Sequence, residues 1–196
     1  MKRFFIAPIV EGKGEVEAVP NLLQRVFKEA KGQGILQVNP ALRVKAGSFL
    51  KPGDYFNRYV EFAARKAKSH PAGRVLIVLD CENHCPAQLG PALLARARQT
   101  RPHVPFLVAL AYREYETWFL AAAKSLRGFA GLPEDLEAPP RSESIRGAKE
   151  WLRSHLPNGY DEVEHQPLFT EAFSFAEAHI NDSFAHFRRA LESFFR

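Results

Sequence analysis

The chain has 196 residues, of which 46% are hydrophobic and 25% are charged, and its formal net charge is +5. This length and composition are typical of a single globular domain and exclude a disordered chain. No apolar run approaches the ~20 residues of a transmembrane helix, and two cysteines exclude a disulfide scaffold, so we expect a cytoplasmic protein without a membrane partner.

The first residues predict a strand, a helix and a second extended segment. The apolar run from Phe4 to Val10 is short and contains Pro8, which favours a first strand over a signal peptide. Apolar residues at helical spacing predict a helix from Glu15 to Lys31. The segment from Ile35 to Val44 is interrupted at Pro40, which indicates an edge strand.

The middle of the chain alternates helices and strands. The predicted elements are a helix from about Tyr55 to Ser69 with Asp54 as N-cap, a strand from Val75 to Leu79, a helix from Gln88 to Gln99, a strand from Val104 to Ala111 and a helix from about Tyr115 to Leu126. The strand from Val75 to Leu79 is apolar throughout, as expected for a central parallel strand that is covered on both faces. We therefore predict an α/β fold: a mainly parallel, Rossmann-like sheet of about four strands between helices.

The last third of the chain predicts a helical extension. Residues 128–142 are rich in Pro, Gly and acidic residues and indicate a loop. Helices are predicted from Ile145 to Leu156 and from Phe184 to Phe195. We expect an α/β core over residues 1–127, with residues 128–196 packed on it as part of a single compact unit.

Acidic residues follow three of the predicted strands. They are Glu11 and Glu15 after the first strand, Asp80 and Glu82 after the central strand, and Glu114 and Glu116 after the next strand. Ligands of open parallel sheets bind beyond the carboxyl ends of the strands. Carboxylates that gather there repel one another, and Mg²⁺ is the usual counter-ion that binds such groups together with substrate phosphates. The sequence thus predicts a divalent metal site at this edge.

Some of these acids have two interpretations. Glu15 could bind the metal or could satisfy backbone N–H groups at the start of a helix, and Glu116 could cap a helix or reach the metal. Asp80 and Glu82 can share one site only if the chain bends just after Asp80, because in a continuing strand they would point to opposite faces. Gly12 permits a sharp turn of the backbone close to a ligand.

The order of these motifs resembles the Toprim domain of topoisomerases, primases and overcoming-lysogenization-defect nucleases. The resemblance is carried by Val10-Glu11-Gly12, by Leu79-Asp80-Cys81-Glu82 and by the stretch from Arg113 to Leu120, and it covers about the first two-thirds of the chain. These stretches are most similar to a small stand-alone bacterial branch catalogued as a domain of unknown function. Some members of that branch lie beside ATPase genes in defence-like loci.

The resemblance implies a Mg²⁺- or Mn²⁺-dependent nuclease or phosphodiesterase acting on nucleic acid, with an ATPase as partner. It implies that Glu11 acts in acid/base chemistry or metal binding and that Asp80 and Glu82 bind the metal. In Toprim domains these two ligands belong to an acidic triplet that is usually Asp-x-Asp. Here the triplet is Asp80-Cys81-Glu82, so Glu82 departs from the usual pattern. Arg113 is the cationic candidate at a strand end. Weaker candidates for phosphate or nucleic-acid contact are Gly12, Lys13, Gly14 and Lys149, and for the two lysines we favour a solvated surface charge.

Three other interpretations remain beside this one. A non-catalytic module that binds and regulates an ATPase would use the same acidic fold. Cys81, His84 and Cys85 lack the spacing of a four-ligand zinc site, so we favour packing for Cys81. A haloacid-dehalogenase-like nucleophile at Asp80 is disfavoured because the triplet lies in mid-chain and carries Glu82.

Overall fold

The computed structural model describes residues 2–30 and 33–195. The strands are β1 (Arg3–Val10), β2 (Ile35–Val38), β3 (Leu42–Arg43), β4 (Gly73–Asp80) and β5 (Phe106–Ala111). The α-helices are α1 (Glu15–Glu29), α2 (Ala46–Phe49), α3 (Asp54–Lys68), α4 (Pro86–Thr100), α5 (Thr117–Ala121), α6 (Ala148–His155), α7 (Glu162–Ala172), α8 (Phe175–Ala178) and α9 (Asp182–Phe195). Lys31, the predicted last residue of the first helix, lies outside the described residues.

The strands form one parallel sheet in the order β2-β1-β4-β5, with β3 pairing with the end of β1. The prediction of a mainly parallel sheet between helices is confirmed. The sheet has five strands where about four were expected, because the second extended segment is split. Pro40, which has no N–H group to donate, lies between β2 and β3, and both strands pair with the same side of β1.

Alternate residues of the central strands build two cores on opposite faces of the sheet. In β1, Phe4 and Ile6 pack on one face with α1 and α9, whereas Phe5 and Ala7 pack on the other face with α3 and α4. All residues of β1 from Phe4 to Val10 are buried. This double covering explains why the central strands are apolar without alternation.

The C-terminal helices complete the first of these cores. The helix predicted from Tyr115 to Leu126 is shorter than expected: α5 ends at Ala121, and a 3-10 turn follows at Ala123–Leu126. Trp118 in α5 is fully buried against Phe184 and Phe187 of α9. Residues from both ends of the chain therefore share one hydrophobic cluster.

The structure adds helices α2, α7 and α8 to those that the sequence predicted. Helix α7 has no apolar stripe, because it buries Gln166 and Thr170 and exposes Val163 and Leu168. Hydrophobic periodicity could not reveal such a helix. Of residues 2–30 and 33–195, none belongs to a helix long and apolar enough to cross a membrane.

Candidate functional site

The carboxyl ends of β1, β4 and β5 lie side by side, because all three strands are parallel and adjacent in the sheet. Glu11 follows β1, Asp80 is the last residue of β4, and Glu116 follows β5 by a short loop. The charge of Glu11 acts on Asp80, and the charge of Glu116 acts on both Asp80 and Glu15. Carboxylates from three separate segments are thus close enough to disfavour one another's ionisation.

Glu15 closes the turn between β1 and α1. Its Oε2 accepts a hydrogen bond of 3.0 Å from the backbone N–H of Glu11, and the backbone of Gly12 also binds this carboxylate. Glu15 is fully buried, and burial is the main reason why its pKa is raised to about 8. Of the two roles predicted for Glu15, the satisfaction of backbone N–H groups is observed directly.

Glu11 itself is partly buried beside this turn. Burial raises the pKa of its carboxyl group, the charge of Glu82 raises it further, and Lys149 opposes the shift. The Oε2 atom of Glu11 is buried and has no hydrogen-bond partner among the described residues. A buried carboxylate oxygen without a partner is costly unless a cation or water binds it.

The chain bends just after Asp80, as the shared site required. Oδ1 of Asp80 accepts a hydrogen bond of 2.8 Å from the backbone N–H of Tyr115, which connects the ends of β4 and β5. The pKa of Asp80 is raised well above its ordinary value, first by burial and then by the charges of Glu15 and Glu116. Glu82 adopts a left-handed φ of 46° and is exposed, so its side chain lies at the outer rim of the cluster.

Glu116 is fully buried and points toward α7. Its Oε1 accepts hydrogen bonds from the Tyr160 hydroxyl (2.9 Å) and from Nε2 of Gln166 (3.2 Å). Burial is the main reason why its pKa is raised to about 7. Glu116 makes no capping hydrogen bond to α5, and its Oε2 has no partner in the described part of the chain. The capping role that we considered for Glu116 is therefore not observed.

Lys149 of α6 supplies a positive charge to the cluster. Its Nζ donates a hydrogen bond of 2.6 Å to Oε1 of Glu162. Burial alone would lower the pKa of Lys149, but the negative charges of Glu116, Glu162 and Asp80 raise it above its ordinary value. Lys149 is therefore charged and faces the carboxylates, which makes it more than a solvated surface lysine.

Arg113 supports the loop that carries Glu82. Its Nη1 donates to the carbonyl oxygen of Glu82 (3.0 Å) and to Oδ1 of Asn83 (3.1 Å), and its φ of 69° is left-handed. The Nε atom of Arg113 is buried without a partner among the described residues.

A pocket of about 310 Å³ opens between the end of β4 and the start of α6. It is lined by Asp80, Glu82, Asn83, Arg113, Glu114, Arg146, Lys149 and Glu150.

Of the three residues before α1 that we predicted as phosphate contacts, two glycines are packed closely against neighbouring atoms and one lysine is exposed. Gly14 is buried, and a Cβ atom there would lie 2.1 Å from the carbonyl oxygen of Glu162, so this glycine permits close packing of α1 on α7. Gly12 is close to the carboxylate of Glu15, where a Cβ atom would lie 3.2 Å from Oε1. Lys13 is exposed beside the cluster.

The two cysteines lie in different environments, since Cys81 is buried in the core and Cys85 is exposed.

Glu114 binds the N-terminus of α6. Its Oε1 accepts from the backbone N–H of Gly147 (3.1 Å), and its Oε2 accepts from that of Lys149 (3.2 Å). Both oxygens thus stabilise the helix that carries Lys149.

Glu114→Ala is expected to lower the free energy of unfolding by about 1 kcal/mol, the usual cost of losing a helix cap, and to leave metal affinity nearly unchanged. Chemical denaturation and metal titration would check this. The matched control is Glu143→Ala, since Glu143 accepts from the backbone N–H groups of Asp182 and Ser183 at the start of α9. A loss of metal affinity in Glu114→Ala alone would make Glu114 a ligand.

The oxygen donors present fit a hard divalent cation such as Mg²⁺. Two of them, Oε2 of Glu11 and Oε2 of Glu116, are buried without a hydrogen-bond partner among the residues that the structure describes. In the arrangement described for residues 2–30 and 33–195, no group of three or more His, Cys, Asp or Glu side chains is already placed to hold a metal ion. Binding of a metal by three of these side chains would therefore need side chains such as that of Glu82, at the exposed rim, to change position.

Sequence reasoning missed the part of the site that comes from α7 and the turn before it. Tyr160 and Gln166 bind Glu116, and Glu162 binds Lys149. Asp161 is the N-cap of α7 and accepts from the backbone N–H groups of Val163 and Glu164. An Asp followed three residues later by Glu is a signal that could have located this helix, although not its position against the site.

Comparison with known proteins assigns a family. No curated protein matches the chain, and no solved structure matches it. A family model described as "Domain of unknown function (DUF4276)" matches residues 10–192, which include every acidic residue of the site. The chain therefore belongs to the DUF4276 family.

Proposed function

We propose that this DUF4276 protein is a Toprim-like, Mg²⁺-dependent phosphodiesterase that cleaves nucleic acid. The observation that carries the proposal is the convergence of Glu11, Asp80 and Glu116 at the carboxyl edge of the sheet. Two buried carboxylate oxygens there lack partners within the described part of the chain. The order of the Glu-Gly turn and the acidic triplet supports the Toprim-like assignment.

The role that we propose for each residue follows from the position of its side chain. Glu11 and Asp80 would hold the metal, with Glu82 completing the set from the rim of the pocket. The Oε2 atom of Glu116, which has no partner among the described residues, would be a further oxygen donor. The bound ion would polarise a phosphoryl oxygen and activate water. Lys149 and Arg113 line the same pocket as Asp80 and would bind the phosphate oxygens. Glu15 holds the backbone of Glu11, and therefore the position of its carboxylate.

The choice of nucleic acid as substrate has separate support. The net charge of +5 attracts a polyanion, and three cations, Arg113, Arg146 and Lys149, line the same pocket as Asp80. The resemblance to a branch with neighbouring ATPase genes supports an ATPase as partner and a cytoplasmic setting. The ATPase partner and the cytoplasmic setting are therefore included in the proposal.

A second candidate function is a non-catalytic module that regulates an ATPase. The observation that favours it is Lys149, which already places one positive charge among Glu116, Glu162 and Asp80. A cluster that is neutralised from within has less need of a metal ion.

Metal titration separates the two functions. Purified protein is titrated with Mg²⁺ or Mn²⁺ by calorimetry and then incubated with plasmid DNA, single-stranded DNA and RNA. We expect saturable binding and cleavage that EDTA abolishes. Ca²⁺, which has the same charge but a looser coordination geometry, serves as the control for binding without efficient cleavage. Absence of both metal binding and cleavage would overturn the proposal in favour of the regulatory module.

A further inference from the structure

We infer that Arg43, Lys45, Tyr55 and Tyr59 form a surface that binds a single strand of nucleic acid and leads it to the carboxylate site. We call this set the basic-aromatic surface. The inference rests on the proposed function, because guiding a nucleic-acid strand toward Glu11 serves a purpose only if the carboxylate site acts on nucleic acid.

The basic-aromatic surface lies at the same edge of the sheet as the site. Arg43 is the last residue of β3, which pairs with the end of β1, and its Nε donates a hydrogen bond of 3.1 Å to the carbonyl oxygen of Glu11. Helix α3 begins at Asp54 and runs back toward the start of β4, so its first turn, with Tyr55, is at the carboxyl edge. The surface therefore starts in direct contact with a residue of the candidate site.

Positive charge is concentrated in this segment. Between Arg43 and Tyr59 the sequence contains four basic residues and one acidic residue, Asp54. Arg43 and Lys45 are exposed, and their positive charges act on the hydroxyl group of Tyr55. No carboxylate is recorded in a salt bridge with either residue in the described chain. Such cations can bind phosphate groups without first breaking an ion pair.

Two tyrosines add aromatic faces beside these charges. The rings of Tyr55 and Tyr59 lie with centroids 4.8 Å apart at an angle of 41°, and both side chains are partly exposed. Aromatic rings beside cations are the usual platform for unpaired bases, which stack on them without regard to sequence. The bases of a duplex are already stacked on one another and cannot reach such rings, so the surface favours a single strand.

The loop that carries the surface is held in place. The backbone N–H of Lys45 donates to the Tyr55 hydroxyl at 3.2 Å, which joins α2 to α3. Arg96 of α4 donates to the carbonyl oxygens of Leu50 and Lys51, each at 2.9 Å, and its guanidinium lies over the ring of Phe56. A preorganised surface loses little entropy when a strand binds.

Binding is measured by fluorescence anisotropy in EDTA, so that no cleavage interferes. The probes are labelled oligothymidylate and oligouridylate of about 12 nucleotides, within the site sizes of single-strand-binding folds, and a duplex of equal length. We expect tighter binding of the single strands. The double variant Tyr55→Ala/Tyr59→Ala should weaken this binding at least tenfold. Tyr55→Phe/Tyr59→Phe keeps both rings and loses only the hydroxyl groups, including the one that accepts from Lys45, so it should weaken binding by less than about threefold.

The charged residues are tested by salt dependence, which does not depend on core packing. Arg43→Gln and Lys45→Gln should each reduce the slope of log affinity against log salt by about 0.7, the value for one phosphate contact on a single strand. Matched controls on the same helix are Phe62→Ala, an exposed aromatic, and Lys68→Gln, an exposed cation near the opposite edge of the sheet. Both controls should leave binding unchanged.

The outcomes distinguish this inference from the proposed function. If the protein cleaves nucleic acid but the substitutions at Arg43, Lys45, Tyr55 and Tyr59 leave single-strand binding unchanged, the binding role of the basic-aromatic surface is refuted and the proposed enzyme stands. If single-strand binding depends on these residues but the protein never cleaves, the surface stands and the proposed enzyme is refuted. Preference for the duplex, or equal losses in the Phe62→Ala and Lys68→Gln controls, would also refute the surface.

Discussion

Asp80→Asn is expected to abolish metal-dependent cleavage while raising the stability of the metal-free protein. We expect cleavage to fall by about 10³-fold or more, the size of effect that follows the loss of a central catalytic group. Asparagine keeps an oxygen that can accept the N–H of Tyr115, but it removes a negative charge from among Glu11, Glu15 and Glu116. The substitution therefore relieves repulsion and removes a proposed metal ligand at the same time.

The gain in stability should grow as the pH rises above the ordinary pKa of an Asp carboxyl group, because burial and the charges of Glu15 and Glu116 disfavour ionised Asp80 in the folded state. Thermal unfolding without metal and cleavage rates with Mg²⁺ are measured on the same preparations. Asp135→Asn, an exposed loop substitution with the same chemistry, should change neither quantity. Loss of activity together with loss of stability would indicate a merely structural role for Asp80.

Without divalent metal, the protein should become less stable as the pH rises from about 5 to 8. The pKa of Glu15 is raised from an ordinary 4.5 to about 8, and that of Glu116 from 4.5 to about 7. The folded state thus binds more protons than the unfolded state within this interval. Stability supplied by the protonated carboxyl groups is complete below pH 4.5 and is lost as the pH rises through the folded-state values.

The expected loss from Glu15 alone is on the order of 3 kcal/mol, and Glu116 adds to it. Lys149 contributes none of the loss because its raised pKa keeps it charged throughout this interval. If the site binds Mg²⁺ as proposed, the ion binds the ionised carboxylates, so the stabilisation that it adds should grow with pH. Glu15→Gln should flatten the pH profile of the melting temperature. Glu17→Gln, which alters an exposed glutamate in the same first turn of α1, should not. A profile of wild-type stability that rises from pH 5 to 8 would contradict the buried, protonated state of Glu15.

Much of the candidate site follows from local patterns. The apolar runs that form β1 and β4 end at Glu11 and Asp80, and parallel strands necessarily bring their carboxyl ends to one edge. The bend after Asp80, which the shared site required, is present at Glu82. The extra strand came from Pro40, whose position was visible in the sequence although its consequence, two short strands on one side of β1, was not.

The remainder of the site depends on contacts between residues far apart in the chain. Tyr160 lies 44 positions from Glu116, and Lys149 lies 35 positions from Glu114, so neither pairing leaves a local trace in the sequence. Helix α7 was missed because its buried residues include Gln166 and Thr170, which hydrophobic periodicity treats as surface.

The sequence by itself determined the α/β order of elements, the parallel sheet and the edge at which Glu11 and Asp80 meet, because strand ends and right-handed crossovers follow from local hydrophobic runs. Only the tertiary structure decided that Glu114 holds a helix, that Glu116 is buried beneath Tyr160, and that Lys149 faces the carboxylates. These assignments depend on how α6 and α7 pack over the sheet, and burial and charge act through space without regard to distance along the chain.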